Sequence, residues 1–301
     1  MNLEGCEADF VTEVRQLDVS KAEAAECAVQ GVFVNPPPTP AAKPLAAPAE
    51  EQARAKVSLT EVEVLDSGIF GVHVTGGFLR ASKCDVMRSG DSGMVAKGGY
   101  VNFEQSSVSD NAKFGVSYGD KPDAQGCVAT VSSGELTGCT VAGNTGVGVY
   151  CSGAVCALVS TKVLKTKMSQ PPVQADGSGV SAVLGGLISV SGCKIAQNAG
   201  FGIFVHGGSE PLKRPSGVSV SGSSVSHNGT YGASVAPASK ETKGFSANLR
   251  ISAFGSDFSN NAEGPVEGDF TKETPVALYL GVAAVGVLAL AYLIPRWKRD
   301  G

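Results

Sequence analysis

Charge is scarce in this 301-residue sequence, with Asp, Glu, Lys and Arg together making up 17%. Aromatic residues add only 6%, and there is a single Trp. With a net charge of −4 and no dense basic stripe, the chain has nothing to track a phosphate backbone, so no nucleic-acid partner is expected. The eight cysteines lack the C-x-x-C pairs of a zinc site, since Cys151 and Cys156 are too widely spaced. Nor do they identify a compartment, because buried free Cys behaves as a small hydrophobe. The opening residues MNLEGCEADF have neither the basic nor the apolar stretch of a secretory signal.

Gly, by contrast, is plentiful at 39 residues. High Gly, Ser and Val with little charge favours β-structure with many tight turns over a helical bundle. The chain is long enough for one large domain or two ordinary ones.

Three stretches look like edited copies of one another: ISVSGCKIAQNAGFGIFVHGG (188–208), VSVSGSSVSHNGTYGASV (218–235) and VNFEQSSVSDNAKFGVSY (101–118). A Gly anchors each copy, at Gly71, Gly93, Gly115, Gly148, Gly179, Gly202, Gly232 and Gly264. Four residues before it stands Asn111, Asn144, Asn198, Asn228 or Asn260, with Ser67 and Ser89 in the earlier copies. Nine before it is a small residue such as Cys84, Ser106, Cys139, Cys193 or Ser223. Aliphatic pairs precede that, and a second pair follows the Gly, as in Val72 with Val74 and Ile203 with Val205. The base unit is about 22 residues, and four of the seven intervals carry insertions of roughly 8 to 11.

The same template fits Gly31, with Val32 and Val34 after it and Cys27, Ala22, Val19 and Leu17 before it. The competing reading of SKAEAAECA is an amphipathic helix capped by Ser20 and Glu23. On the first reading the Pro/Ala-rich run NPPPTPAAKPLAAPAEE is an insertion loop, on the second a linker.

The paired alternation is strand periodicity, and a unit this short cannot bury its own apolar face. Three short strands per turn of a right-handed parallel coil satisfy both constraints, with equivalent residues stacked about 4.8 Å apart. The Asn then lies in a turn, its amide bonding to the equivalent Asn or backbone above and below, and the Gly permits a tight corner. These Asn-x-x-x-Gly-Val-x-Val units resemble the parallel β-helix repeats of the pectate-lyase-like superfamily, over residues 57–268 and, with the Gly31 copy, from residue 17. The resemblance implies an all-β, right-handed parallel β-helix of about eight or nine coils. It leaves function open, since the fold hosts lyases, hydrolases, adhesins and pure binding proteins.

Residues 275–294, PVALYLGVAAVGVLALAYLI, carry no charge and are long enough to span a bilayer as one C-terminal transmembrane α-helix. Tyr279, Tyr292 and Trp297, with Arg296, Lys298 and Arg299, form an interfacial collar. The expected organisation is therefore an N-terminal region 1–56, a β-helix 57–268, a short linker 269–274, the membrane span 275–294 and a basic tail 295–301. Without a visible signal, a cytosolic β-helix on a tail anchor is favoured slightly, whereas the basic tail favours an extracellular or lumenal one. Asn228-Gly229-Thr230 reads as a glycosylation sequon, but Asn228 is expected to point inward.

Stacking register brings Glu63 and Asp85 one rung apart, and two carboxylates so placed can share a proton or bind a cation. If the protein is an enzyme, these are its catalytic candidates. The column Asp66, Arg88, Asp110 alternates in sign and reads as a surface salt-bridge ladder, as does Glu61 over Lys83. The column two residues after the Gly holds His73, Tyr150 and Phe204, the candidate binding residues. Cys84, Cys139 and Cys193 share an inward column with Ser106 and Ser223 and read as packing. No cofactor and no metal site is indicated. The expected function is a membrane-anchored β-helix that binds or scaffolds a protein or glycan partner through a side face and its loops. The alternatives are a carbohydrate-active lyase or hydrolase, or a degenerate one that keeps only glycan binding.

Overall fold

Alternating small and aliphatic residues, with a turn every few positions, give this chain short strands that are stable only when stacked. In the computed structural model, the described residues are 16–20, 23–25, 30–34, 56–119, 132–169, 177–206, 215–236, 247–252 and 255–273. They form three parallel sheets of ten, eight and nine strands, in which neighbours come from successive turns of the chain. First-sheet strands have five or six residues apart from the terminal Thr271–Glu273, those of the second sheet have three, and those of the third three to six. Numbering the coils by their first-sheet strands, coil 1 starts at residue 16, coil 2 at 56, coil 3 at 78, coil 4 at 100 and coil 5 at 133. Coils 6 to 9 start at 155, 187, 216 and 247.

Within SKAEAAECA, Glu23–Ala25 is a strand of the second sheet paired with Glu63–Leu65, as the coil reading requires. Leu17 pairs with Val57, Val19 with Leu59 and Val32 with Val72, the register that the repeat implies. Inside, the core is a stack of like residues, including Val57, Leu79, Val101, Ile188 and Val218 along the first sheet, each buried.

Two polar ladders run through this core. In the first, the backbone N–H of Ser89 donates to Asn111 Oδ1 (2.9 Å), Asn111 N–H to Asn144 (3.0 Å), Thr166 N–H to Asn198 (3.1 Å) and Asn198 N–H to Asn228 (3.1 Å). The side-chain amides of Asn111, Asn198 and Asn228 bridge the same rungs at 2.8 to 2.9 Å. The last rung is Asn261, whose Oδ1 accepts from Asn228 N–H at 3.1 Å, and not the expected Asn260. The anchor of the last coil is shifted by one: Tyr231 pairs with Gly264, so Pro265 occupies the place of the stacked glycines. Asn260 instead takes the exposed corner with φ +55°, the conformation that Asp66, Arg88, Asp110, Gln197 and His227 adopt in their own coils. Thr166 fills a rung that the fixed offset misses, because the insertion of its coil falls between it and Gly179.

The second ladder uses the small column. Cys84 N–H donates to Ser106 Oγ (3.0 Å), Cys139 N–H to Thr161 Oγ1 (3.3 Å), Thr161 N–H to Cys193 Sγ (3.4 Å) and Cys193 N–H to Ser223 Oγ (3.0 Å). Thiol and hydroxyl are interchangeable there, each closing the turn onto a carbonyl two residues back, as Cys84 does on Ser82 and Ser106 on Glu104. The stacked glycines are needed for a reason other than corner flexibility. A Cβ on Gly115 would lie 2.6 Å from Gly148 O and 2.7 Å from Asn144 Nδ2, so the coils approach too closely for any side chain.

The segments 35–55, 120–131, 207–214 and 237–246 each fall between a third-sheet strand and the next first-sheet strand in chain order. Among the described residues no helix is long and apolar enough to cross a membrane, and residues 275–294 lie outside them.

Candidate functional site

Outward-facing side chains decide what a β-helix meets, and they differ between the three faces. On the second sheet, Glu63 and Asp85 are directly opposite one another, as the register requires. In their column Glu23 stands opposite Glu63 one coil earlier, and Ser107, Thr140, Lys162 and Lys194 follow Asp85. Among the described residues no three His, Cys, Asp or Glu side chains converge as a metal site would need. The corner columns are the salt-bridge ladders expected: Arg88 Nε lies 2.7 Å from Asp66 and Lys83 Nζ 3.7 Å from Glu61. The Arg88 hydrogen bond holds the Asp66 carboxyl below its usual range. Asp110 pairs with Lys167 at 3.4 Å.

On the third sheet, His73, Tyr150 and Phe204 share one column, separated by Val95, Ser117 and Ser181. The structure does not bring them together. Three coil steps separate His73 from Tyr150, about 14 Å, and two separate Tyr150 from Phe204, about 10 Å. Each is engaged locally. His73 is buried and tilted against Phe70 with ring centres 5.1 Å apart. Tyr150 stacks on Phe114 at 4.7 Å and 4°, and Phe204 stacks on Phe201 at 5.4 Å and 16°.

The first sheet carries a cluster that converges. Its strands Phe78–Ser82, Tyr100–Glu104 and Ser133–Thr137 alternate strictly, the inward residues filling the core and the outward ones forming three columns. Register sets Arg80 beside Asn102 beside Glu135, and Ser82 beside Glu104 beside Thr137. Arg80 Nη2 donates to both oxygens of Glu104, at 3.1 and 3.0 Å. Asn102 Nδ2 donates to Glu104 Oε1 at 3.1 Å, and Thr137 Oγ1 to Glu135 Oε1 at 2.7 Å. Asn102 Oδ1 is shielded from solvent and has no hydrogen-bond partner among the described residues. Beside these polar groups, Phe78 and Tyr100 stack at 4.9 Å and 13°, with Phe78 39% exposed. Burial, reinforced by Glu135 and Glu104, pushes the Tyr100 phenol above its usual range, so it stays a neutral donor at ordinary pH. The Phe78–Tyr100 column continues through Ser133 to Val155 and Leu187, both exposed, giving an apolar strip along the helix axis of about 20 Å.

The sequence reading passed over this cluster. The signal was present in the outward residues that flank the aliphatic pair: 13 before the anchoring Gly stand Arg80, Asn102 and Glu135, and 15 before it Phe78 and Tyr100.

Comparison with family models gives a match to the right-handed β-helix region over residues 53–249. No curated protein and no solved structure matches the chain.

Proposed function

The chain belongs to the right-handed β-helix family, and we propose that it is a membrane-anchored binding protein holding an extended glycan along the outer face of its first sheet. The observation that carries this reading is the conjunction of the exposed Phe78–Tyr100 platform with Arg80, Asn102, Glu104 and Glu135. A pyranose ring has an apolar face and a rim of hydroxyls. An aromatic platform takes the first, and the planar, solvent-reached groups of Arg80 and Glu104 take the second. The strip through Val155 and Leu187 gives a chain of sugars, as opposed to one sugar, a surface to follow.

Binding is favoured over turnover by the state of the carboxylates. Both oxygens of Glu104 are held by Arg80 and one also by Asn102, while Glu135 accepts from Thr137. A general base needs a carboxylate free to reach the substrate proton. The lyase or hydrolase alternative rests on Glu63 and Asp85, on successive rungs of a different face with Glu23 opposite Glu63.

Attachment through residues 275–294 would stand the C-terminal coils nearest the bilayer, since few residues separate them from the last described strand, Thr271–Glu273. Protease protection of residues 35–55 in sealed vesicles separates a cytosolic orientation from a lumenal or extracellular one. The glycan reading is tested by screening immobilised glycans with the full chain in detergent and then titrating the best ligand. Tyr100→Ala and Arg80→Ala should each weaken binding about tenfold or more, equivalent to about 1.4 kcal/mol. Phe204→Ala, on another face, should leave it unchanged.

A further inference from the structure

Three of the cysteines with described side chains, Cys84, Cys139 and Cys193, repeat one task in the second polar ladder, where Ser106, Thr161 and Ser223 substitute for them. Cys151 and Cys156 stand elsewhere. Cys151 occupies an inward column of the third sheet between Tyr118 and Ala182, and Cys156 an inward column of the first sheet between Gly134 and Ile188. Neither column uses a polar side chain to close a turn. Cys151 is the last inward residue of Val147–Ser152, and Cys156 the first inward residue of Val155–Val159. The corner between them is short and turns on Gly153 at φ +63°. Both side chains therefore enter the core from opposite sides of one corner. Cys151 Sγ lies 3.8 Å from Leu187 O. Leu187 precedes Ile188, which is Cys156's partner in the next coil, so the Cys151 thiol reaches toward the Cys156 column. Exposure is 0% for Cys151 and 3% for Cys156, and Tyr118 lies close to both.

We propose that Cys151 and Cys156 are a dithiol–disulfide couple, closed by exchange with a disulfide donor as coil 6 docks on coil 5. This goes beyond the glycan-binding reading and does not depend on it. The donor is a protein oxidant or oxidised glutathione. One cysteine, as thiolate, attacks a donor sulfur and releases the first donor thiol. The other then attacks the mixed disulfide and releases the second. The two cysteines lose two protons and two electrons, the donor's S–S bond is reduced to two thiols, and one new S–S bond forms. The neighbouring Cys151 thiol, together with burial, pushes the Cys156 thiol well above its usual range. Thiolate is therefore scarce once the core has closed, which puts the exchange in the assembling chain and not in the finished one. Closure ties a third-sheet strand to the next first-sheet strand at the foot of the Val155–Leu187 strip. Its state also reports which compartment the β-helix folded in.

The test is to refold the full chain in detergent at graded ratios of oxidised to reduced glutathione. Samples are quenched in acid, alkylated under denaturing conditions and mapped by mass spectrometry, with far-UV circular dichroism read at every ratio. Cys151 and Cys156 should lose alkylation together, by the mass of two hydrogens and without a glutathione adduct. Their curve should follow the square of the reduced glutathione concentration, while Cys84, Cys139 and Cys193 stay alkylatable. In Cys156→Ser, Cys151 should remain a thiol or carry one glutathione. The melting temperature of the wild-type chain should rise on oxidation, and that of a Cys151→Ala, Cys156→Ala double variant should not. Two thiols surviving the most oxidising ratio overturn the proposal. So do independent glutathione adducts at the two positions, or a disulfide from either to another cysteine.

Discussion

Asn198→Ala tests the ladder that sets the register of every coil. Asn198 is 1% exposed. Its Oδ1 accepts the Thr166 N–H at 3.1 Å, and its Nδ2 donates to Asn228 Oδ1 at 2.9 Å and to Val163 O at 3.4 Å. Truncation removes all three contacts, but their consequences differ. Asn228 Oδ1 keeps the Asn198 backbone N–H at 3.1 Å, whereas the buried Thr166 N–H is orphaned. An orphaned buried donor costs about 1–3 kcal/mol and the lost side-chain bonds about 1 kcal/mol more, so the expected loss is about 2–4 kcal/mol. Asp110→Gly is the matched control. Asp110 holds an exposed corner at φ +53°, and Gly143 occupies the same corner one coil on at φ +68°. That change should stay within about 0.5 kcal/mol. Urea melts of the full chain in detergent give the global loss. Because coils contact only their neighbours, hydrogen exchange should show faster opening concentrated in coils 6 to 8. Equal losses from the two variants, or a loss below about 1 kcal/mol for Asn198→Ala, would refute the ladder argument.

Ser89→Asn should extend the ladder and stabilise by about 1 kcal/mol in the same melts, because the buried Ser89 Oγ has no partner among the described residues and the next rung is Asn111. No gain, or a loss, would show that the early rungs cannot accept an amide. Asp66→Asn should destabilise modestly at neutral pH and less at high salt, the pair being half exposed. Since Arg88 lowers the folded pKa of Asp66, that stability is present above the ordinary carboxylate range and lost as pH falls through the folded value, so wild type and variant should converge in acid.

Architecture was legible because the repeat is enforced rung by rung. An Asn at a ladder position accepts the preceding rung's backbone N–H, and a Gly at the anchor must admit the next coil's backbone, so both recur in sequence. Reading by fixed offset failed where the chain inserts or slips within a coil. The fixed offset passes over Thr161 and Thr166 because their coil's insertion lies before its anchoring Gly179, and it selects Asn260 in place of Asn261 because the last anchor is Pro265 and not Gly264. The outer faces are less constrained by the fold, so no periodic rule marks a site on them. His73, Tyr150 and Phe204 share one column, but three and two coil steps separate them, so the column alone does not assemble them into one site. The Arg80, Asn102, Glu104 and Glu135 cluster draws on three coils and two adjacent columns: the 22-residue repeat brings the first three together, and the register across the 33-residue interval between Gly115 and Gly148 adds Glu135.

The most direct measurement of the central claim is the affinity of the full chain for the glycan that screening selects, compared among wild type, Tyr100→Ala, Arg80→Ala and Phe204→Ala. The account predicts saturable binding without turnover, weakened about tenfold or more by the first two changes and untouched by the third. Binding that survives loss of Tyr100 and Arg80 but fails with Phe204→Ala, or glycan cleavage abolished by Glu63→Gln, would contradict it.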